Sequence, residues 1–164
     1  MYQASIPVFA AGMRTLSAIL EKGHADAVSR SIDPSVLLGS RLAPDMLPLT
    51  RQVQIASDMV KNGAGRLAGV ELPSFADTET TFEELQARIN KTTDFLATIG
   101  EESLTGSDTR EIVLKFPGRE MHFAGEAYLT SFVVPNLYFH MTTAYLILRH
   151  NGVPLGKMDF IRAS

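Results

Sequence analysis

The stretch Pro135-Asn136-Leu137-Tyr138-Phe139-His140-Met141-Thr142-Thr143-Ala144-Tyr145-Leu146-Ile147-Leu148-Arg149-His150 decides the fold. Leu137, Met141, Ala144 and Leu148 recur at helical spacing and form one apolar line. Phe139 and Leu146 lie on nearly the opposite side. A helix apolar on two faces must be covered twice. One face meets a bundle core; the other needs a hairpin, a long connection or a second subunit. Isologous dimers are the commonest oligomers, so a homodimer is the expected assembly. The helical region reaches back to Gly125, and Pro135 with Asn136 should break or kink it, because proline removes one helical hydrogen bond and crowds the preceding turn. Asn151-Gly152 closes it as a left-handed cap. A membrane span needs about 20 predominantly apolar residues; this run is short and carries Asn136, His140, Thr142 and Thr143, so no membrane contact is expected.

Outward from this helix, three more amphipathic segments appear. The first spans about residues 3–22, with Ile6, Phe9, Met13, Leu16 and Leu20 on one stripe, Pro7 confined to its first turn and Gly23 as its C-cap. Residues 24–45 read as an irregular connection with one helical turn at Asp26–Arg30, punctuated by Asp33-Pro34, Gly39 and Ala43-Pro44. The second helix runs from Leu47 to Gly63 or as far as Leu67. Leu49, Val53, Ala56, Val60 and Leu67 form its stripe, widened to one side by Ile55 and Met59, and Arg51, Gln54, Asp58, Lys61 and Asn62 lie opposite. Gly63, Gly65 and Gly69 weaken its end by about 1 kcal/mol each relative to Ala. After a loop through Thr80, Thr80 and Thr81 stand three residues before Glu83 and Glu84, the capping-box spacing. Phe82, Leu85, Ile89, Leu96 and Ile99 continue the third helix until Gly100. The period then changes to two. Ile112–Phe116 and Arg119–Phe123, joined at Pro117-Gly118, read as a short hairpin that could not stand alone. The expectation is one domain over residues 1–164, all-α: an antiparallel four-helix bundle with a short β-hairpin before the last helix.

Composition narrows the function classes. Fifteen Lys and Arg against eighteen Asp and Glu leave a net charge of −3, which argues against nucleic acid, whose phosphates call for a basic surface. The chain has no Cys, so thiolate nucleophiles and cysteine metal sites are excluded. Met1–Ser5 lacks a basic signal-peptide region and the first cation is Arg14, so cytoplasm is the expected location. Neither a Gly-x-Ser-x-Gly elbow nor a phosphate-binding glycine loop occurs.

Among four histidines, His140 alone sits deep in a helix beside the core line. Imidazole there serves as a core-edge hydrogen-bonding group or as a metal ligand or proton carrier. It is the candidate catalytic residue. Gln52, Asp58, Arg14, Tyr138 and Tyr145 could join it around a polar cavity between helices. His122 reads as an exposed strand residue, His24 as part of the loop after the first helix, and His150 as a cation complementing the last helix's dipole.

The segment Asn136–Tyr145, followed by Leu148-Arg149-His150-Asn151-Gly152-Val153 and Leu155–Phe160, resembles an uncharacterised bacterial family of the DinB/YfiT-like metalloenzyme superfamily. Arg51-Gln52-Val53-Gln54 and Asp58 fit the same family, as does the order of segments over nearly the whole chain. The resemblance implies an up-down-down-up four-helix bundle, commonly dimeric. In metal-competent relatives it also implies a nickel or zinc ion held by three histidines, one from the second helix and two, four residues apart, from the last. Some relatives transfer thiols such as bacillithiol or mycothiol, or isomerise maleylpyruvate. This chain departs from that ligand set. His140 takes the first position on the last helix, Ala144 stands four residues on, and the second-helix position falls at Ile55 or Ala56, with Gln52 and Gln54 the nearest polar residues. One imidazole among alanine and isoleucine does not hold a first-row metal. No cofactor is therefore expected. Three readings follow: a metal-free small-molecule-binding or stress-related bundle, a thiol-dependent transferase or isomerase working through His140, and a dimeric interaction protein with a vestigial pocket.

Overall fold

The structure, a computed structural model, describes residues 1–161. Four long helices carry it: α1 (Tyr2–Ser29), α3 (Leu49–Ala68), α4 (Phe82–Ala97) and α6 (Val134–His150), with short helices α2 (Pro34–Gly39), α5 (Gly125–Tyr128) and α7 (Lys157–Phe160) in the connections. Side-chain pairings settle their directions. Ser17 meets Gln86 and His24 stacks on Phe82, so α1 and α4 are antiparallel. Gln52 meets His140 and Gly63 faces Val133, so α3 runs against the α6 region. Gly12 packs on Met141 and Gly23 on Leu148, so α1 and α6 are parallel. Ser57 meets Thr92 and Gly65 faces Phe95, so α3 and α4 are parallel too. The bundle is therefore up-down-down-up, with the antiparallel pairs α1–α4 and α3–α6 at its heart.

The structure extends the first helix six residues beyond its expected C-cap. A Cβ on Gly23 would lie 2.9 Å from Leu148 Cδ2. This glycine admits α6 close to α1 rather than ending the helix, and His24 thereby sits inside α1, its ring 5.2 Å from Phe82. α3 continues through Gly63 and Gly65 to Ala68, one residue past the longer of its expected ends, and is capped by Gly69 in the left-handed region at φ 70°. A Cβ on Gly63 would meet Val133 Cγ1 at 2.7 Å. These glycines permit close approach, an interaction that offsets their low helix propensity.

Two caps match their sequence signatures. Thr81 accepts from the Glu84 amide at 3.2 Å while Glu84 accepts from the Thr81 amide at 3.1 Å, satisfying orphan donors reciprocally. At the far end of α6, the Val153 amide reaches back to the Leu148 carbonyl at 3.1 Å, with Gly152 at φ 90°. The hairpin pairs β1 (Glu111–Phe116) with β2 (Arg119–Ala124), Ile112 opposite Phe123 and Leu114 opposite Met121. Ile112 and Leu114 bury on the bundle.

Pro135 neither breaks the last helix nor stands within a regular one. A π-turn over Leu129–Val133 joins α5 to α6, and Asn136 Nδ2 donates to the Phe132 carbonyl at 2.6 Å. The wider turn accommodates the missing proline amide. The expected core line of α6 is buried: Leu137, Ala144 and Leu148 are fully inaccessible and Met141 nearly so. Its opposite face is open within the chain, with Phe139 57% and Leu146 39% exposed. No helix among the described residues is long and apolar enough to cross a membrane.

Candidate functional site

Close packing of α3 on α6 brings Gln52 and His140 together. His140 Nδ1 lies 2.7 Å from Gln52 Oε1, and Gln52 Nε2 donates to the Leu47 carbonyl at 2.9 Å. The second bond orients the first. Because the amide nitrogen is spent on a carbonyl, the amide oxygen faces the ring, and Nδ1 must carry the hydrogen. Burial pushes the His140 pKa below its ordinary value of 6.5, so the ring is neutral at neutral pH and Nε2 keeps its lone pair. Among the described residues Nε2 forms no hydrogen bond, and the buried polar atoms lacking a bond are Asp58 Oδ1 and Arg88 Nη2 instead. Nε2 is thus not sealed within the core. The ring of Phe139 stands perpendicular to His140 at 5.2 Å, and Leu47 beside the dyad is 42% exposed. Phe139 and Leu47 give the dyad apolar neighbours.

The other four pocket residues lie elsewhere. Tyr138 lines a 280 Å³ cleft between α1 and α6 with Val8, Gly12, Met141 and Phe160. Tyr145 lines a 210 Å³ cleft beside Leu146, Lys157 and Phe160, its ring 5.8 Å from that of Phe160. Arg14 borders two clefts between α1 and α4. His140 lines none of these clefts. Successive helical residues point about 100° apart, so Tyr138 diverges from His140 although only two residues away.

Asp58 belongs to a second polar cluster, which sequence reasoning missed. The connection from α3 to α4 (residues 69–81) folds back as a strap over the face of α3 that carries Arg51, Gln54, Asp58 and Lys61. The sequence placed that face opposite the core stripe, with no partner to cover it. Instead Gln54 is 2% and Lys61 4% exposed. Arg88 of α4 is its centre, its side chain 1% exposed, 3.0 Å from each of Asp58, Asp77 and Glu79. Arg51 adds a 2.5 Å contact to Asp77, Gln54 donates to Glu79 at 2.7 Å, and Lys61 pairs with Asp58 at 3.0 Å. Phe75 lies over both cations, 4.4 Å from Lys61 Nζ and 5.7 Å from the Arg88 guanidinium. The hydrogen bond from Arg51 holds the Asp77 carboxyl below the usual range. Burial pushes Glu79 up, but hydrogen bonds from Gln54, its own backbone and Arg88 outweigh it and bring it below its ordinary value. A lone signal was available in the sequence: Arg88 interrupts the apolar side of the third helix between Leu85 and Ile89.

The remaining histidines make surface contacts. His122 lies 3.3 Å from Glu111 and 3.6 Å from Glu120, on the open face of the hairpin. His150 is exposed in the last turn of α6.

The three-histidine metal site implied by the superfamily resemblance does not fit these residues. Gln52 of α3, rather than Ile55 or Ala56 one turn on, faces His140, and its oxygen engages the ring's Nδ1–H. Ala144 is fully buried and brings no donor. An imidazole and a weak amide oxygen fall short of the three protein ligands of a catalytic zinc site, and no group of three His, Cys, Asp or Glu suited to a metal occurs among the described residues.

Comparison with known proteins agrees with the fold. The family model described as a domain of unknown function, DUF1993, matches residues 1–161. The crystal structure of a DinB family member from Shewanella denitrificans, at 1.83 Å resolution, is similar at a TM-score of 0.93 and 40% sequence identity, over 99% of this chain and 92% of that one. No curated protein matches the chain. An up-down-down-up bundle, matched by that family model over nearly its full length and sharing the fold of a DinB family member, places this chain in the DUF1993 family.

Proposed function

We propose that this DinB-like chain is a metal-free small-molecule-binding protein whose anchor is His140, acting as a neutral acceptor. One observation carries the reading: the relay from the Leu47 carbonyl through Gln52 to His140 Nδ1. It fixes the tautomer, leaves Nε2 with a lone pair and costs the site no charge. A fixed neutral acceptor with an apolar rim suits an apolar molecule bearing one polarised X–H group. Where the sulfur of a bound thiol attacks an electrophile, the same contact lets the neutral imidazole take the proton the sulfur releases, as a general base. The transferase or isomerase reading is this limit of the same geometry.

Thermal melting tests the proposal. Small thiols and phenols raise the melting temperature of the wild type and leave His140→Ala unmoved; a ligand present at 100 times its dissociation constant stabilises by about 2.7 kcal/mol. If no thiol or phenol shifts the wild type, the reading falls. In the same assay nickel, zinc and manganese leave the wild type unchanged, because Gln52 and Ala144 supply too few donors. Stoichiometric metal in protein purified without a histidine tag would restore the metalloenzyme alternative.

The outer face of α6, with Phe139 and Leu146 exposed, supports a second copy of this chain as its occupant. A monomer by light scattering would reject that assembly.

A further inference from the structure

We propose that Asp77 and Glu79 act as an internal ligand in an anion-binding pocket formed by Arg51, Lys61 and Arg88, and that a small dianion competes with them for it. The charges are the first argument. Arg51 and Arg88 meet at Asp77 while Arg88 and Lys61 meet at Asp58, and of the three carboxylates α3 itself supplies one, Asp58. The other two carboxylates come from the strap. With the strap docked the cluster is neutral; with it lifted the pocket holds a net charge of plus two, matched by a dianion.

The fit of the strap to Arg88 is the second argument. Arg88 Nη1 carries two hydrogens but faces four strap oxygens: Asp77 Oδ1 at 3.0 Å, Glu79 Oε1 and Oε2 at 3.0 and 3.3 Å, and the Ala76 carbonyl at 3.2 Å. Nη2 receives none of them. It faces only Asp58 Oδ1, at 3.0 Å but out of hydrogen-bond alignment, and both atoms are buried. A guanidinium binds a carboxylate or phosphate best through two parallel N–H bonds. The strap crowds one nitrogen and leaves the other poorly served. An oxyanion seated across both nitrogens repairs that mismatch. Phosphate and dicarboxylate share this chemistry.

Hydrogen–deuterium exchange of the wild-type chain tests the competition. Strap amides, Val70 to Thr81, are followed in inorganic phosphate, in succinate and in sodium chloride of equal ionic strength. A dianion at ten times its dissociation constant for the open form multiplies the open population, and hence strap exchange, about elevenfold, while α3 and α6 stay protected. Acceleration by phosphate alone assigns the pocket to phosphoryl groups; by succinate alone, to dicarboxylates; by both, to dianions in general. Equal exchange in all three solutions overturns the proposal. An Asp77→Asn/Glu79→Gln variant gives an independent reading: phosphate raises its melting temperature above the chloride control. If that variant responds to phosphate no more than to chloride, the strap is a structural tie and the pocket takes no anion.

Discussion

α3 carries two polar contacts on its two sides, built on opposite electrostatic plans. Toward α6 it offers Gln52, which pairs with a neutral His140; toward α4 and the strap it offers Asp58 and Lys61 beside a buried guanidinium. The first uses no net charge and leaves one lone pair free for a ligand. In the second, three cations face three carboxylates, and among the described residues the only buried side-chain polar atoms without an aligned bond are Asp58 Oδ1 and Arg88 Nη2. A neutral contact tolerates a half-open setting, because losing one hydrogen bond costs about 1 kcal/mol. A charged one at the same depth needs every partner present, and the chain recruits a whole connection to supply them.

The comparison breaks most visibly at Arg88. Arg88→Met leaves Asp58 and Glu79 facing a methyl group, and removing one partner of a buried ion pair costs about 3–5 kcal/mol. The low end is expected here, since the Asp58 and Asp77 side chains are 30% and 38% exposed. Urea unfolding measures the loss. A change under about 1 kcal/mol would show that solvent screens the cluster as it does a surface pair.

Gly63→Ala sharpens the other side. The added methyl enters the space of Val133, and overpacking of this kind costs about 1–3 kcal/mol. The expectation is about 2 kcal/mol of lost stability with α3 displaced from α6, so the His140–Gln52 bond lengthens and the imidazole ¹⁵N shifts lose their single-tautomer signature. An unchanged histidine spectrum would show that the dyad does not depend on the glycine approach.

These same residues mark how far the sequence alone could be read. The hairpin, the Thr81–Glu84 box and the core line of α6 were legible because each rests on neighbours within a few positions. Gly23 and Gly63 were misread as a cap and a weak point because their purpose is a contact with a distant helix, which no local window contains. The burial of α3's polar face was illegible for the same reason: the strap that covers it is an irregular segment, without a period to betray its docking. His140 and Gln52 were both singled out, but their pairing, and the separation of Tyr138, Tyr145, Arg14 and Asp58 from them, depend on helix rotations of a few tens of degrees. Tertiary packing sets those rotations.

The pH dependence of stability separates the two contacts by where in the scale each fails. His140 has its folded pKa below 6.5, through burial. As pH falls through about 6.5 the unfolded chain takes up a proton that the folded chain refuses, so stability is lost on acidification in that window and levels off below the folded pKa. Asp77 and Glu79 are also lowered, by Arg51 and by Gln54 with Arg88, but from ordinary carboxylate values near 4. Their contribution is complete above that value and lost as pH falls through the folded pKa values. Thermal melts should therefore show two losses on acidification, a weak one beginning near pH 6.5 and a steeper one near pH 4. His140→Phe removes the first and keeps the second, while Asp77→Asn/Glu79→Gln keeps the first and shrinks the second to the share of Asp33, Glu83 and Glu84, whose carboxyls local hydrogen bonds also lower. The histidine step is the smaller because it comes from one half-buried ring, against two carboxyls in the other. If His140→Phe leaves the upper step in place, the imidazole is not the group that titrates there, and the neutral dyad loses the asymmetry on which its acceptor role depends.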